Sequence, residues 1–394
     1  MMANRNENGY DITAQNYYDE LGRHVGGRLD PITHQSVSEA RGKLKWEGFE
    51  FLLGEANRED EFDDDRFRYR GHVTRAIDGT GLITPRTDEL LDYFSPRISK
   101  VGEGHYPACL LVTATNVFTG QPVAGRVVDH KESERDQLVS MVRNVFHAGD
   151  LSLLDRGFGA GWVFWEFEDA GQYYLCRMKT TGDRVSLYVQ RFLRSKKKSK
   201  TITITVTTAE GANKKLSIKL VRGPKDSEGK RIVFATNLLK DKYTRNSLLK
   251  LYRERWAAET LYYRVKTLLK VERFHARTYN GVMQEIFANL LLLSLTALVW
   301  SASIVKHRLN ARRIVPNFKN AVEVVRRHLF DAIDHRITGA KERRLAKELI
   351  RETARVLWKK RPGRSYPRVS MQPIKIWNLA KARKIVEFEN RRSA

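Results

Sequence analysis

HVTRAIDGT, His72 to Thr80, is a short apolar run that stops at an aspartate followed by a Gly-Thr pair. Its composition and its turn-forming end predict a strand whose last side chain is a carboxylate. LSLLDRGF, Leu151 to Phe158, repeats the pattern and ends at Asp155. Two further apolar runs, Ala108–Thr113 and Val123–Val128, read as neighbouring strands, and residues 132–147 (ESERDQLVSMVRNVFH) carry helical periodicity. Strands, a helix, a strand and a helical segment near Trp162 together predict an α/β core that delivers carboxylates to one sheet edge.

Outward from that core, residues 172–236 change character. YYLCRMK, RVSLYVQRF, TITITVTT, KLSIKLV and RIVFAT read as short strands, and TITITVTT with KKLSIKLV reads as an antiparallel hairpin. This β-rich insertion contains the basic run Lys196, Lys197, Lys198 and Lys200, either a solvated loop or a phosphate contact. Arg156 is similarly open between a phosphate contact and a strand-end role. A long helix is expected from Ser247 to Lys270, an apolar helix after Asn280, and two basic amphipathic helices within 318–360. Ile286–Val305 contains no charged residue and is long enough to span a bilayer. Its Asn289, Ser294, Thr296, Ser301 and Ser303 favour a buried core helix instead. On the N-terminal side, residues 1–30 read as a frayed arm. SVSEARGKLKWEGFEFLL reads as one amphipathic helix, capped by Ser36 or Ser38 and burying Leu44, Phe49, Leu52 and Leu53. The acidic run at 59–65 (EDEFDDD) reads as a solvated linker, and the proline-containing Arg361–Ala394 as loosely held.

Charge is unevenly placed. The chain has 394 residues, with 71 Lys+Arg against 46 Asp+Glu, a net +25. Residues 1–70 carry 10 basic and 15 acidic side chains, residues 71–170 carry 9 and 14, and residues 171–394 carry 52 and 17, a net +35. So basic a C-terminal part suits a polyanion, with nucleic acid ahead of a membrane surface. A hydrophobic content of 41% excludes general disorder. Cys109 and Cys176 are too few for a disulfide framework or a Cys-rich zinc site, and the N-terminal sequence shows no export signal, so a cytoplasmic location is expected. His72, His105 and His130 lack metal-ligand spacing.

The helix SLLKLYRERWAAETLYYRVKTLLK carries the chemistry. At about 100° per residue, Tyr252, Arg255, Glu259 and Lys266 share one narrow stripe. Ala257, Ala258, Leu261, Val265 and Leu268 lie opposite and face the core. On its own the stripe could be a solvated face with an i,i+4 pair. Asp78 and Asp155 at strand ends change that, because three carboxylates converging on one point repel unless a hard divalent cation binds between them. Mg²⁺ or Mn²⁺ fits, since two such ions about 3.5–4 Å apart can activate an attacking oxygen and stabilise a leaving one. Glu132, Glu134 and Arg135 read as charges at a helix N-terminus, with an active-site role as the alternative.

The spacing Tyr252-(2)-Arg255-(3)-Glu259-(6)-Lys266 resembles the YREK signature of bacterial insertion-sequence DDE transposases, the group called the IS-four family. DGT at Asp78–Thr80 and LLDRGF at Leu153–Phe158 are similar to that family's two aspartate motifs, and the resemblance spans roughly residues 36–305. It implies an RNase H-like mixed-sheet core interrupted by a β-rich insertion, with helical N- and C-terminal regions. The segments are then 1–70, a helical or flexible N-terminal region; 71–170, the first part of the core; 171–240, the insertion; 241–305, the second part with the YREK helix; and 306–394, a basic helical region. It implies cut-and-paste transposition: cleavage at terminal inverted repeats and strand transfer into target DNA. Asp78, Asp155 and Glu259 would be the catalytic, metal-holding residues for Mg²⁺, with Mn²⁺ substituting. Tyr252, Arg255 and Lys266 would contact the DNA backbone, and a homodimer would assemble on DNA. Relatives that excise through a hairpin stack a flipped base on an aromatic of the insertion, and residues 166–255 contain no Trp; Tyr188, Phe192, Phe234 and Tyr243 are the substitutes available. The family's N-terminal end-binding domain is expected to be reduced here. Two rivals remain at this point: a DNA-binding protein without chemistry, and a structure-specific nuclease on the same core.

Overall fold

The computed structural model describes residues 33–57, 64–99, 102–226, 228–311, 313–329 and 338–360, with scattered residues before 33. The expected N-terminal arm lies almost wholly outside the described residues, as do most of the acidic run and the segment from Arg361 onward.

Two helices lead in, α1 (His34–Lys43) and α2 (Glu47–Glu55). The sequence predicts one helix here, and the structure corrects that. The cap is Thr33, whose hydroxyl accepts from the Ser36 amide at 3.2 Å, and the backbone turns extended at Leu44. The break is held from outside: Asn280 donates to the Leu44 carbonyl at 2.8 Å and accepts from the Trp46 amide at 3.0 Å. Leu44 and Leu52 are consequently exposed, whereas Leu53 is buried and Phe49 packs partly on the core.

The centre is a nine-stranded sheet. Strand β1 (Thr74–Ile83) is followed by helix α3 (Asp88–Tyr93), β2 (Pro96–Ser99), β3 (Gly102–Asn116) and β4 (Pro122–Asp129). Then come α4 (Glu134–Asn144), β5 (Leu151–Leu154), α5 (Gly161–Asp169) and β6 (Tyr173–Met178). The order β4-β3-β1-β5-β6 has β3 antiparallel to both neighbours and β1, β5 and β6 mutually parallel, which is the RNase H-like arrangement. Side chains alternate between two cores along β3: Leu110 and Val112 pack with Ile77, Leu138, Met141 and Phe164 under α4 and α5, while Cys109 and Leu111 face the opposite layer. Both cysteines are buried and free.

Beyond β6 the chain forms α6 (Leu187–Arg194), β7 (Ser199–Thr207), β8 (Asn213–Lys225) and β9 (Arg231–Thr236). The hairpin is there, with Ile202 opposite Ile218. Because β9 pairs antiparallel with β6, the insertion continues the core sheet without a break. The stretch Tyr173–Met178 pairs parallel with β5 and is the fifth strand of the core. RVSLYVQRF is not a strand: Leu187–Arg194 is a helix burying Val189 and Phe192, whose i,i+3 spacing serves a helix as well as the alternation of Val185, Leu187 and Val189 would serve a strand.

The expected long helix is segmented. It comprises α7 (Arg245–Tyr252), a tight turn at Arg253–Arg255, α8 (Trp256–Tyr263) and a π-helical stretch at Arg264–Leu268. Helix α9 (Tyr279–Lys306) has 28 residues and is apolar and long enough to cross a membrane, yet most of its length is buried. It packs on α2, β4 and two C-terminal helices, α10 (Phe318–Arg327) and α11 (Ala340–Thr353). Its polar residues are accommodated: Thr296 donates to the Leu292 carbonyl, and Ser294 meets Gln121 at 3.1 Å.

Candidate active site

The two aspartates are brought together by strand register. Ala76 on β1 lies beside Leu153 on β5 in a parallel pair, so extending that register by two residues sets Asp78 beside Asp155. Neighbouring strands stand about 4.8 Å apart, which makes these carboxylates neighbours across the end of the sheet. The Gly79 amide donates to Asp78 Oδ1 at 3.1 Å, and the Tyr262 hydroxyl donates to the Asp78 carbonyl while accepting from Thr113 Oγ1 at 3.0 Å. These contacts fix the stretch of β1 from which the carboxylate projects; the sequence predicts that this strand ends at Asp78, but pairing with β3 carries it on to Ile83, so Asp78 lies within β1 at the level where β5 stops.

Glu259 reaches the same point from α8. Its Oε1 accepts from Arg255 Nη2 at 2.9 Å, and Arg255 Nη1 stands 4.0 Å from Asp78 Oδ2, so the guanidinium bridges the helix carboxylate and the strand carboxylate. Burial pulls the Arg255 proton affinity down, but Tyr252, Asp155, Asp78 and Glu259 more than reverse this and hold it above its ordinary value. Burial raises the Asp78 carboxyl; Arg255 and the Gly79 amide oppose the rise, and Asp155 and Glu259 add to it. The Tyr252 hydroxyl donates to the Leu154 carbonyl at 3.2 Å, one residue before Asp155, so it braces the end of β5. Lys266 departs from the straight-helix stripe because the backbone turns π-helical from Arg264 onward. Its Nζ donates to the Gly81 carbonyl on β1 at 2.6 Å and lies 4.0 Å from Glu272.

Glu134 is the residue the sequence reading assigned elsewhere. It does open α4, where Ser133 caps the helix by accepting from the Arg135 amide. Its half-buried carboxyl also rests against Gly79, close enough that a Cβ there would collide with Glu134 Oε1. Burial raises this carboxyl, and Asp78 and Asp155 raise it further. Arg135 donates to the Gly157 carbonyl at 2.6 Å, in the turn after Asp155. Residues 133–135 thus tie both aspartate turns together. The signal in the sequence was a glycine directly after the aspartate, inside β1, where it leaves room for a neighbour. Gly79→Ala should displace Glu134 and slow single-turnover DNA cleavage by about tenfold or more, the usual cost of disturbing an outer-shell partner. An unchanged rate would remove Glu134 from the site.

The other candidates sit farther out. Arg156 is exposed in the turn after Asp155. Lys196, Lys197 and Lys198 occupy the loop before β7, and Lys200 lies on that edge strand, all with exposed side chains. Arg222 fastens this loop, with its amide donating to the Lys198 carbonyl at 2.9 Å and its Nε to the Lys197 carbonyl at 3.0 Å. His72 ties Gly149 to Tyr243, and His130 meets the Pro96 carbonyl, so both serve the framework.

Among the described residues no three His, Cys, Asp or Glu side chains are placed as a closed metal-holding group. The guanidinium of Arg255 lies between Asp78 and Glu259. The donor chemistry nonetheless fits a hard divalent cation: oxygen-only carboxylates within β1, just after β5 and on one helix, with further carboxylate capacity at Glu134.

The fold and site are thus a mixed sheet carrying two neighbouring aspartates, closed by a helix that supplies a glutamate. Residues 69–295 match the family described as Transposase DDE domain, and the chain belongs to that family. DDE transposases use divalent metal ions. No curated protein matches the chain in sequence. A cryo-EM structure of the piggyBac transposase synaptic complex with hairpin DNA is similar at a TM-score of 0.43 and 12% identity. That match covers 76% of this chain and 60% of the other, so the chain spans less than two thirds of that protein.

Proposed function

We propose that the chain is a cut-and-paste transposase of a bacterial insertion sequence of the YREK group, cleaving DNA at terminal inverted repeats and joining the freed ends to target DNA. The observation that carries this is the convergence of Asp78, Asp155 and Glu259 around Arg255. Asp78, Asp155 and Glu259 would hold Mg²⁺, or Mn²⁺ in its place, which when bound supplies Lewis-acid stabilisation of charge at the scissile phosphate. Arg255 is placed to present a planar fork to that phosphate once the carboxylates engage metal. Tyr252 keeps the end of β5 in place while its ring lies beside the DNA path. Lys266 supplies a point charge further along β1. The +35 segment draws in duplex DNA and makes binding fall steeply with salt. Two ends must be joined, so a homodimer on DNA is the working assembly, acting in the cytoplasm at the nucleoid.

The test is incubation of the full chain with labelled duplexes carrying the inverted repeats that flank its reading frame, with Mg²⁺, Mn²⁺ or chelator. Metal-dependent nicks at the repeat boundary followed by strand transfer support the reading. Binding without cleavage would make the chain a DNA-binding protein alone. Cleavage indifferent to the repeats and without joining would make it a nuclease.

A further inference from the structure

We propose that Arg97, together with Lys266, clamps a backbone phosphate of the substrate DNA next to the one that is cut. This rests on the reading of the chain as a DNA-cleaving transposase and adds a binding residue to it. Arg97 lies on β2 where the β2–β3 register shifts between Pro96 and Ile98, a bulge that redirects a side chain. The redirected guanidinium lies over Gly81 of β1, where a Cβ would collide with its Nη2. Gly81 does not have a positive φ, so its conformation does not demand glycine. A glycine in a strand interior is costly, and the close approach of Arg97 accounts for it. Gly104 makes similar room behind, since a Cβ there would stand 2.9 Å from the Arg97 carbonyl.

Lys266 comes to the same residue, donating to the Gly81 carbonyl. Two cations therefore meet at Gly81, three residues or about 10 Å past Asp78 along the strand. The pairing of β1 with β5 ends at Ala76, so this part of β1 has no strand on the β5 side. Glu272 is the carboxylate that meets Lys266 among the described residues: it lies 4.0 Å from Nζ and also accepts from the Ile83 amide at 3.2 Å. Arg97 itself is exposed and forms no ion pair among the described residues. Two adjacent cations, of which only Lys266 meets a carboxylate among the described residues, favour an added anion, and on the proposed function a phosphodiester is the anion that the neighbouring carboxylate centre acts on.

The experiment measures binding of a fluorescent duplex to the full chain by anisotropy across a salt series, with single-turnover cleavage in Mg²⁺ alongside. Arg97→Ala should lower affinity several-fold and reduce the slope of log K against log salt by about one. Arg97→Lys should restore most of the slope. Gly81→Val, which pushes the guanidinium aside, should reproduce the Arg97→Ala slope, with melting temperature followed to show that both variants fold. A native slope in folded Arg97→Ala overturns the clamp. Failure of the native chain to bind or cut any duplex overturns the transposase reading and the clamp with it.

Discussion

Replacing any one of Asp78, Asp155 or Glu259 by alanine is expected to stop DNA cleavage while DNA binding stays near native. The two properties rest on different parts of the molecule. On the proposed function, cleavage would depend on carboxylates held on the adjacent strand segments of β1 and β5 and on α8, whereas non-specific binding would depend on the +35 segment. Removing one ligand forfeits several kcal/mol of transition-state stabilisation, on the order of a thousandfold in rate or more. Loss of one negative charge beside the DNA path should leave affinity equal or slightly higher. The same centre should show in stability. Burial and the neighbouring Asp155 and Glu259 raise Asp78 above its ordinary range despite Arg255. The folded state therefore holds that proton more tightly than the unfolded one, and stability falls as pH rises through the raised value. At neutral pH in chelator, Asp78→Asn should melt a few degrees higher than the native chain. The gap should close below the carboxylate range, where native Asp78 is itself protonated. Single-turnover cleavage, duplex anisotropy and thermal melts of the three variants check this. Near-native cleavage by any alanine variant would strike that residue from the centre.

Much of this centre was legible because its signals are local. An apolar run that stops at Asp-Arg-Gly announces the end of β5 before Asp155; the similar run before Asp78 drew attention to that residue, but β1 continues through Asp-Gly-Thr to Ile83 because β3 pairs with it along that length. The hairpin of β7 and β8 was visible because its residues alternate on a period of two. Glu134 stayed open between a helix N-terminal charge and an active-site role because a Ser-Glu pair before a helix has a sufficient local explanation as a cap. Only the packing of α4 against β1, a contact between distant segments, reveals that the same carboxyl reaches Gly79. The bend after α1 was hidden for a similar reason, since Asn280 on a remote helix satisfies the backbone there. Lys266 was placed by an ideal helical angle that a π-helical stretch does not keep.

Arg255 should separate chemistry from framework most sharply. It is largely buried, with Tyr252, Asp155, Asp78 and Glu259 all acting on it, yet among the described residues it makes one close ion pair, at 2.9 Å to Glu259, with Asp78 at 4.0 Å. If the guanidinium only neutralises the carboxylates, Arg255→Ala would leave them repelling, and added metal would restore cleavage by taking over the neutralisation. If it also grips phosphate, metal cannot replace it. We expect the second outcome: end-complex formation and cleavage fall together, by about a hundredfold or more, since two charge-assisted hydrogen bonds are each worth roughly 1.5–3 kcal/mol. Arg255→Lys should recover only part, because an ammonium keeps the charge but lacks the planar fork. Tyr252→Phe should be mild, as it removes the hydroxyl bracing Leu154 and keeps the ring packed on Phe234. End binding and single-turnover cleavage, each titrated with Mg²⁺ and Mn²⁺, distinguish the two roles. Full rescue of Arg255→Ala by excess metal would reduce the guanidinium to a counter-charge within the carboxylate cluster.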